Sequence, residues 1–215
     1  MIGDIIPPEV ASVGSRGDDM LTWLYPEEAA QICGATETRV REFTSARTCA
    51  RLAIAKLGLP TAPILRGAWR EPIWPDGVVG SITHCRGYCA AAVAKQREIL
   101  SMGIDAEADE QLPPGVLDQV AVAEERVWLA TAPPGVHWDR LLFSAKESVF
   151  KAWFPLARGW LGFEQAIVSF HAGERTFEVR LLVPLPAQVR GGAEVLTGRF
   201  LVRDGLLLTS LVLSH

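Results

Sequence analysis

Between Phe143 and Phe154 the aromatic residues Phe143, Phe150 and Phe154 fall on one stripe of a helical projection, with Glu147 at the edge of that stripe and Lys151 just beyond it. A helix patterned in this way must bury its aromatic side against another layer, which leaves the two charges beside a core instead of in open solvent. Glu147 and Lys151 are four residues apart and are neighbours on the helix surface, a spacing that also suits an ordinary stabilising ion pair. Lys146 projects into the apolar arc, and nothing in the sequence accounts for it.

The second layer is legible as strands. Thr197–Val202 and Leu206–Leu213 flank Asp204-Gly205, a strong hairpin signal, and Ala166–Phe170 and Thr176–Val183 flank a turn at Ala172-Gly173. Earlier, Val78 to Tyr88 followed by the apolar run Cys89 to Ala94 predicts a strand, a tight turn and a second strand. Helical turns are expected near Pro26–Cys33, and helices over about Glu37–Leu57 and Val116–Ala130, the latter bracketed by Pro113-Pro114 and Pro133-Pro134. The order reads as two α/β halves, residues 1–101 and 102–215. With 215 residues, 49% of them hydrophobic, the chain can bury a sizeable core.

Gly103-Ile104-Asp105-Ala106-Glu107 adds two carboxylates to that of Glu147. Asp105 and Glu107 are two apart, so on a strand they leave from the same face and can converge on one ion. A hard cation such as Mg²⁺ is usually held by one or two protein carboxylates, with phosphates and water completing its shell. In the first half, Arg39, Phe43, Arg47 and Arg51 recur at steps of four and form a slowly drifting basic stripe. Arg39 and Arg47 would lie roughly 12 Å apart on a helix, a span that an elongated ligand with separated phosphates, or scattered acidic partners, could bridge. Arg66 to Gly77 is too rich in turn formers for a regular element and reads as a loop. It leads to Ser81, Thr83 and His84, hydroxyls and an imidazole of a kind that can approach a phosphate.

A net charge of −4 argues against a general nucleic-acid binder and leaves the arginine stripe as a local anion site. No apolar run is long enough to span a membrane, and no basic segment with a following apolar stretch opens the chain, so a cytoplasmic location is expected. In that compartment Cys33, Cys49, Cys85 and Cys89 are expected to be reduced thiols. Cys85 and Cys89 with His84 lack the second pair that zinc spacing requires.

The ordered set Trp-Pro-x-Gly-x-Val-Gly-Ser-Ile-Thr-His-Cys at 74–85, Gly-Ile-Asp-x-Glu at 103–107 and Phe-Ser-x-Lys-Glu-Ser-x-Phe-Lys at 143–151 resembles the 4′-phosphopantetheinyl transferase superfamily. More narrowly, it is similar to the larger Sfp-type enzymes, in the branch resembling the enterobactin synthase D component. The likeness runs from about Arg39 to Trp160.

The resemblance implies an α/β (α+β) fold made of a pseudo-twofold pair of similar subdomains with the site at their junction. Residues 1–101 would supply coenzyme A phosphate contacts, and residues 102–215 the magnesium and catalytic carboxylates. It implies transfer of the phosphopantetheine arm of coenzyme A to a serine of an acyl or peptidyl carrier protein, releasing adenosine 3′,5′-bisphosphate. Asp105, Glu107 and Glu147 would hold Mg²⁺, with Mn²⁺ as a substitute. Glu147 would take the serine proton itself or leave it to a metal-bound water, and Lys151 would neutralise charge on the transferring group. Arg39, Arg47, Arg66, His84, Ser81 and Thr83, with Asp105 and Lys151, would face coenzyme A, and Trp160 would wall the pantetheine arm. A magnesium-dependent nuclease and a binding module without turnover are the rivals, and the acidic balance and the intact carboxylate–lysine set weigh against them. A monomer is the default, and the carrier's pathway (siderophore or other peptide synthesis, polyketide or fatty-acid synthesis) stays open.

Overall fold

A computed structural model describes residues 1–17, 22–189 and 195–215. In chain order these form β1 (Ala11–Arg16), α1 (Pro26–Ala30), α2 (Glu37–Lys56), β2 (Leu65–Arg66), β3 (Pro72–Ile73), β4 (Val78–Cys85), β5 (Tyr88–Lys95) and β6 (Ile99–Ala108). There follow α3 (Leu117–Val120), α4 (Ala123–Leu129), α5 (Trp138–Ala157), β7 (Ala166–His171), β8 (Thr176–Leu181), β9 (Val195–Arg203) and β10 (Leu206–Ser214). The fold is mixed α/β, with an antiparallel three-stranded sheet ordered β1-β5-β4 and an antiparallel five-stranded sheet ordered β6-β10-β9-β8-β7. β2 and β3 pair as a two-residue ladder inside the expected loop.

β5 explains how the layers stack. Its residues alternate between two cores: Cys89, Ala91 and Val93 pack against Cys49, Ala50, Ala53 and Ile54 of α2, while Ala90, Ala92 and Ala94 meet Met102, Ile104 and Leu208 of the larger sheet. The small side chains let three layers close on one strand. A third core lies under α5, where Leu141, Leu142, Ala145, Val149 and Ala152 rest on Phe177, Phe200, Leu207 and Leu211.

β4 and β6 are edge strands of different sheets, and side chains join them. Ser81 Oγ accepts from the Ile104 amide at 3.1 Å and Thr83 Oγ1 from the Ala106 amide at 2.9 Å, so the free edge of β6 is satisfied without a continuous ladder. The division expected after residue 101 therefore falls inside a strand, because β6 carries the chain from one sheet to the other.

Two expectations need correction. The helix over Val116–Ala130 is two short helices, broken where Ala121 and Val122 turn extended. The break lets Glu125 accept from the Val122 and Val168 amides and pair at 2.8 Å with Lys146, whose ammonium also donates to the carbonyls of Val120 and Phe163. The lysine in the apolar arc is thus a buried ion-pair hub, its pKa lowered chiefly by burial and held up by Glu125. The second correction is to the phenylalanine stripe. Phe154 is buried, but Phe143 and Phe150 are only half-buried, because the deep face of α5 belongs to its leucine, alanine and valine residues.

Candidate active site

Gly103 sets the geometry. A Cβ at this position would fall 1.8 Å from the Ser148 carbonyl oxygen and 2.8 Å from the Ala152 nitrogen, so α5 lies directly on the β6 backbone there. Ser101, on the same face of β6, donates to the Ala152 carbonyl at 2.7 Å. Asp105 is the next residue on that face, and Lys151 reaches it: Nζ lies 2.6 Å from Asp105 Oδ1 and 3.2 Å from the Ile104 carbonyl. Gly103→Ala should therefore push the helix off the strand, costing more than the roughly 1–3 kcal/mol of ordinary overpacking. Urea unfolding like that of the parent would contradict this contact.

Because Lys151 goes to Asp105, it makes no ion pair with Glu147 among the described contacts. Glu147 stands on the wall of the cleft with its pKa raised by burial, opposed by Lys151 and reinforced by Asp105. Glu107 is also raised, first by burial and then by Asp105, although Arg140 binds it at 3.0 Å. Sequence reasoning missed Arg140. The signal was there, since Arg140 is seven residues before Glu147 and so on the same stripe of α5.

Asp105 is 5% exposed. Its Oδ1 takes Lys151 and the Thr83 hydroxyl, the latter at 3.2 Å, while Oδ2 is buried with no hydrogen-bond partner among the described residues. Among those residues no three metal-binding side chains are gathered closely enough to hold an ion alone. The donor set nevertheless fits a hard cation completed by substrate phosphates: it is all oxygen, one buried carboxylate oxygen is unspent, and two carboxylates have raised pKa values.

A cleft of about 530 Å³ opens from Lys151 and Glu147 towards α2 and the 66–77 loop. Of the expected cationic set it is lined by Arg39, Arg47, Arg66 and His84. Phe43 holds two of them, Arg47 with its guanidinium 4.3 Å from the ring centroid and Arg66 at 5.5 Å. Arg47 also donates to the Ile64 carbonyl at 2.6 Å, and burial lowers its pKa to about 10, so it stays charged at neutral pH. Arg66 donates to the Gln31 carbonyl. Arg39 lies 3.2 Å from both His84 Nε2 and Glu42. The pKa of His84 is lowered, mainly by burial, which leaves a neutral ring.

Arg51 leaves the stripe. It is buried against Glu28 of α1 at 2.7 Å and stacked on Trp23. Ser81 and Thr83 are 3% and 2% exposed, and their hydroxyl oxygens accept from β6 amides in the seam described above; Ser81 also lines the cleft. Trp160 is 72% exposed and packs on Phe150 at 5.0 Å, walling a smaller hollow that shares Glu147 and Phe150 with the cleft. Arg70 and Arg158, on the far rim, were not anticipated, since neither belongs to a periodic pattern. None of the four cysteines is in a disulfide, and Cys89 faces Cys49 at 3.5 Å.

The sequence matches a family model for the 4′-phosphopantetheinyl transferase N-terminal domain over residues 27–94 and one for the 4′-phosphopantetheinyl transferase superfamily over residues 101–196. It is 48% identical over 202 residues to the 4′-phosphopantetheinyl transferase Svp of Streptomyces mobaraensis, covering 92% of this chain and 81% of that one. It is also 48% identical over 222 residues to the 4′-phosphopantetheinyl transferase Npt of Nocardia iowensis, covering 98% and 99%. Enterobactin synthase component D of Salmonella typhimurium is 34% identical over 143 residues, covering 64% of this chain and 56% of that protein. The three motifs, the matched residues and these full-length likenesses agree, and the chain belongs to the 4′-phosphopantetheinyl transferase superfamily as an enzyme of that kind.

Proposed function

We propose that the cleft binds coenzyme A and a divalent cation, Mg²⁺ or Mn²⁺, and transfers the 4′-phosphopantetheine group to a serine of an acyl or peptidyl carrier protein. The observation that carries this reading is the junction itself. Lys151, held on Asp105 Oδ1, stands with Glu147 at one end of a cleft whose other wall bears Arg39, Arg47, Arg66 and His84, and the second oxygen of Asp105 has no partner among the described residues.

Arg39, Arg47 and Arg66 offer guanidinium donors to the phosphates, and His84 offers a neutral ring that a phosphate would draw towards protonation. Asp105, with Glu107 and Glu147 as further candidates, would hold the cation, which would supply charge neutralisation at the diphosphate. Glu147 receives the serine proton as the hydroxyl oxygen bonds to the phosphorus bearing the pantetheine arm. The phosphorus–oxygen bond to the adenosine side breaks, and adenosine 3′,5′-bisphosphate leaves with the electron pair. Lys151 steadies the charge that accumulates on the transferring group, since phosphoryl transfer is catalysed chiefly by positioning and electrostatics. Phe150 and Trp160 wall the pantetheine arm. Both walls come from one chain, so a single copy supplies the whole cleft.

Intact-mass measurement of apo carrier proteins of several classes, incubated with coenzyme A and Mg²⁺, tests this. One phosphopantetheine should be added to a carrier, and the adduct should vanish without the cation or when the carrier serine is changed to alanine. Dephospho-coenzyme A should be used less well, because part of the cationic wall would then lack its anion. No adduct on any class of carrier would overturn the reading.

A further inference from the structure

We infer that Thr83 is a positioning residue for the cation site: its hydroxyl turns the Asp105 carboxylate so that Oδ2 alone is offered to a divalent cation. The inference rests on the reading that Asp105 holds that cation.

A threonine hydroxyl has one proton to give and two lone pairs to receive with. In Thr83 one lone pair takes the Ala106 amide at 2.9 Å, and the proton goes to Asp105 Oδ1 at 3.2 Å. Ala106 follows Asp105 in the chain, so one hydroxyl pins both the backbone beside the aspartate and one oxygen of its carboxylate. Lys151 takes the same oxygen at 2.6 Å. Among the described residues, two donors on Oδ1 and none on Oδ2 is an uneven arrangement for a carboxylate that is 5% exposed, and a buried acceptor left unmet is costly unless a ligand arrives to meet it. The terminal torsion of an aspartate is soft and nearly two-fold. Without Thr83, Lys151 alone would hold the group, and a single flexible ammonium does not fix which oxygen faces inward.

Ser81 separates this role from plain fastening. It stands two residues earlier on the same strand and accepts from the Ile104 amide at 3.1 Å in the same seam, with no carboxylate bonded to it among the described residues. Loss of the Ser81 hydroxyl loosens the seam but leaves the aspartate aligned.

The test is Mn²⁺ binding to the coenzyme A-loaded protein, followed by electron paramagnetic resonance of the free ion, with melting temperature measured in parallel. Removing an outer partner of a metal ligand typically weakens metal binding about 10- to 100-fold, and Thr83→Val should raise the Mn²⁺ Kd by that factor. Thr83→Ala, which leaves room for a water on the Ala106 amide, should do the same should the valine variant not fold. Thr83→Ser should bind like the parent. Ser81→Ala should melt lower yet keep the parental Mn²⁺ Kd. Parental Mn²⁺ binding by Thr83→Val or Thr83→Ala overturns the positioning role alone, as does an equal weakening in Ser81→Ala. A parent that binds no Mn²⁺ with coenzyme A present overturns the cation reading and this inference together.

Discussion

Glu147→Gln should cut carrier modification by about 10²–10⁴-fold, the usual contribution of a general base, while coenzyme A still binds and the metal-free protein melts higher than the parent at neutral pH. The two halves of this result share a cause. Glu147 makes no ion pair or hydrogen bond among the described contacts, and burial raises its pKa above the ordinary 4.5, with Asp105 adding to the rise and Lys151 opposing it. The folded protein therefore holds this proton to higher pH than the unfolded chain does. In the window between the ordinary and the raised value the folded state binds more protons, so stability falls as pH rises through that window. Above the raised value the whole penalty is present, and the amide removes it. Below the ordinary carboxylate range the penalty is absent for both proteins. Melting curves taken in a chelator from acid to neutral pH should show a gap that opens upward with pH. A variant no more stable than the parent at pH 7, or one transferring at the parental rate, would refute the burial argument or the base assignment respectively.

The stability gained by losing function also explains what the sequence could reveal. Periodicity and turn chemistry are local, and they placed α2, the β4–β5 turn and the β9–β10 hairpin within a few residues, and the middle of α5 but not its ends. They could not place β1, a short strand with a glycine in the middle that exists because β5 offers it an edge. They merged α3 and α4, because the break between them is set by Glu125 and Lys146, which lie far apart in sequence. The site divides in the same way. Asp105, Glu147 and Lys151 were visible because spacing puts each on a predictable face, and the structure brings Lys151 onto Asp105. Arg47 and Arg51 look alike in sequence, yet one lines the cleft and the other is buried against Glu28, a distinction made by α1 and its loop and not by α2 itself. Ser81 and Thr83 were legible as hydroxyls near a histidine, but only the meeting of two sheet edges shows what those hydroxyls hold.

Asp105→Asn should lower transfer by more than about 10²-fold, beyond what loss of an outer partner alone reaches, with little change in fold. The amide keeps the shape of the side chain and can still accept from Thr83 and Lys151 on its oxygen. It puts an N–H group where the unspent Oδ2 now lies and removes the charge that a hard cation needs. Coenzyme A should still bind through the arginine wall. Asp105 also raises the pKa of Glu147 and Glu107, so its loss should ease both downward and make those carboxylates weaker proton acceptors. Two measurements separate the ways in which the variant could fail. If Asp105 holds the cation, the Mn²⁺ Kd of the coenzyme A complex rises together with the loss of rate, and added Mg²⁺ restores part of the rate. If the rate falls while Mn²⁺ binding stays parental, Asp105 works by holding Lys151 against the transferring group, and the cation must rest on Glu107 and Glu147. A folded variant with near-parental Mg²⁺-dependent transfer would remove Asp105 from the chemistry altogether and leave its pairing with Lys151 as a structural contact between β6 and α5.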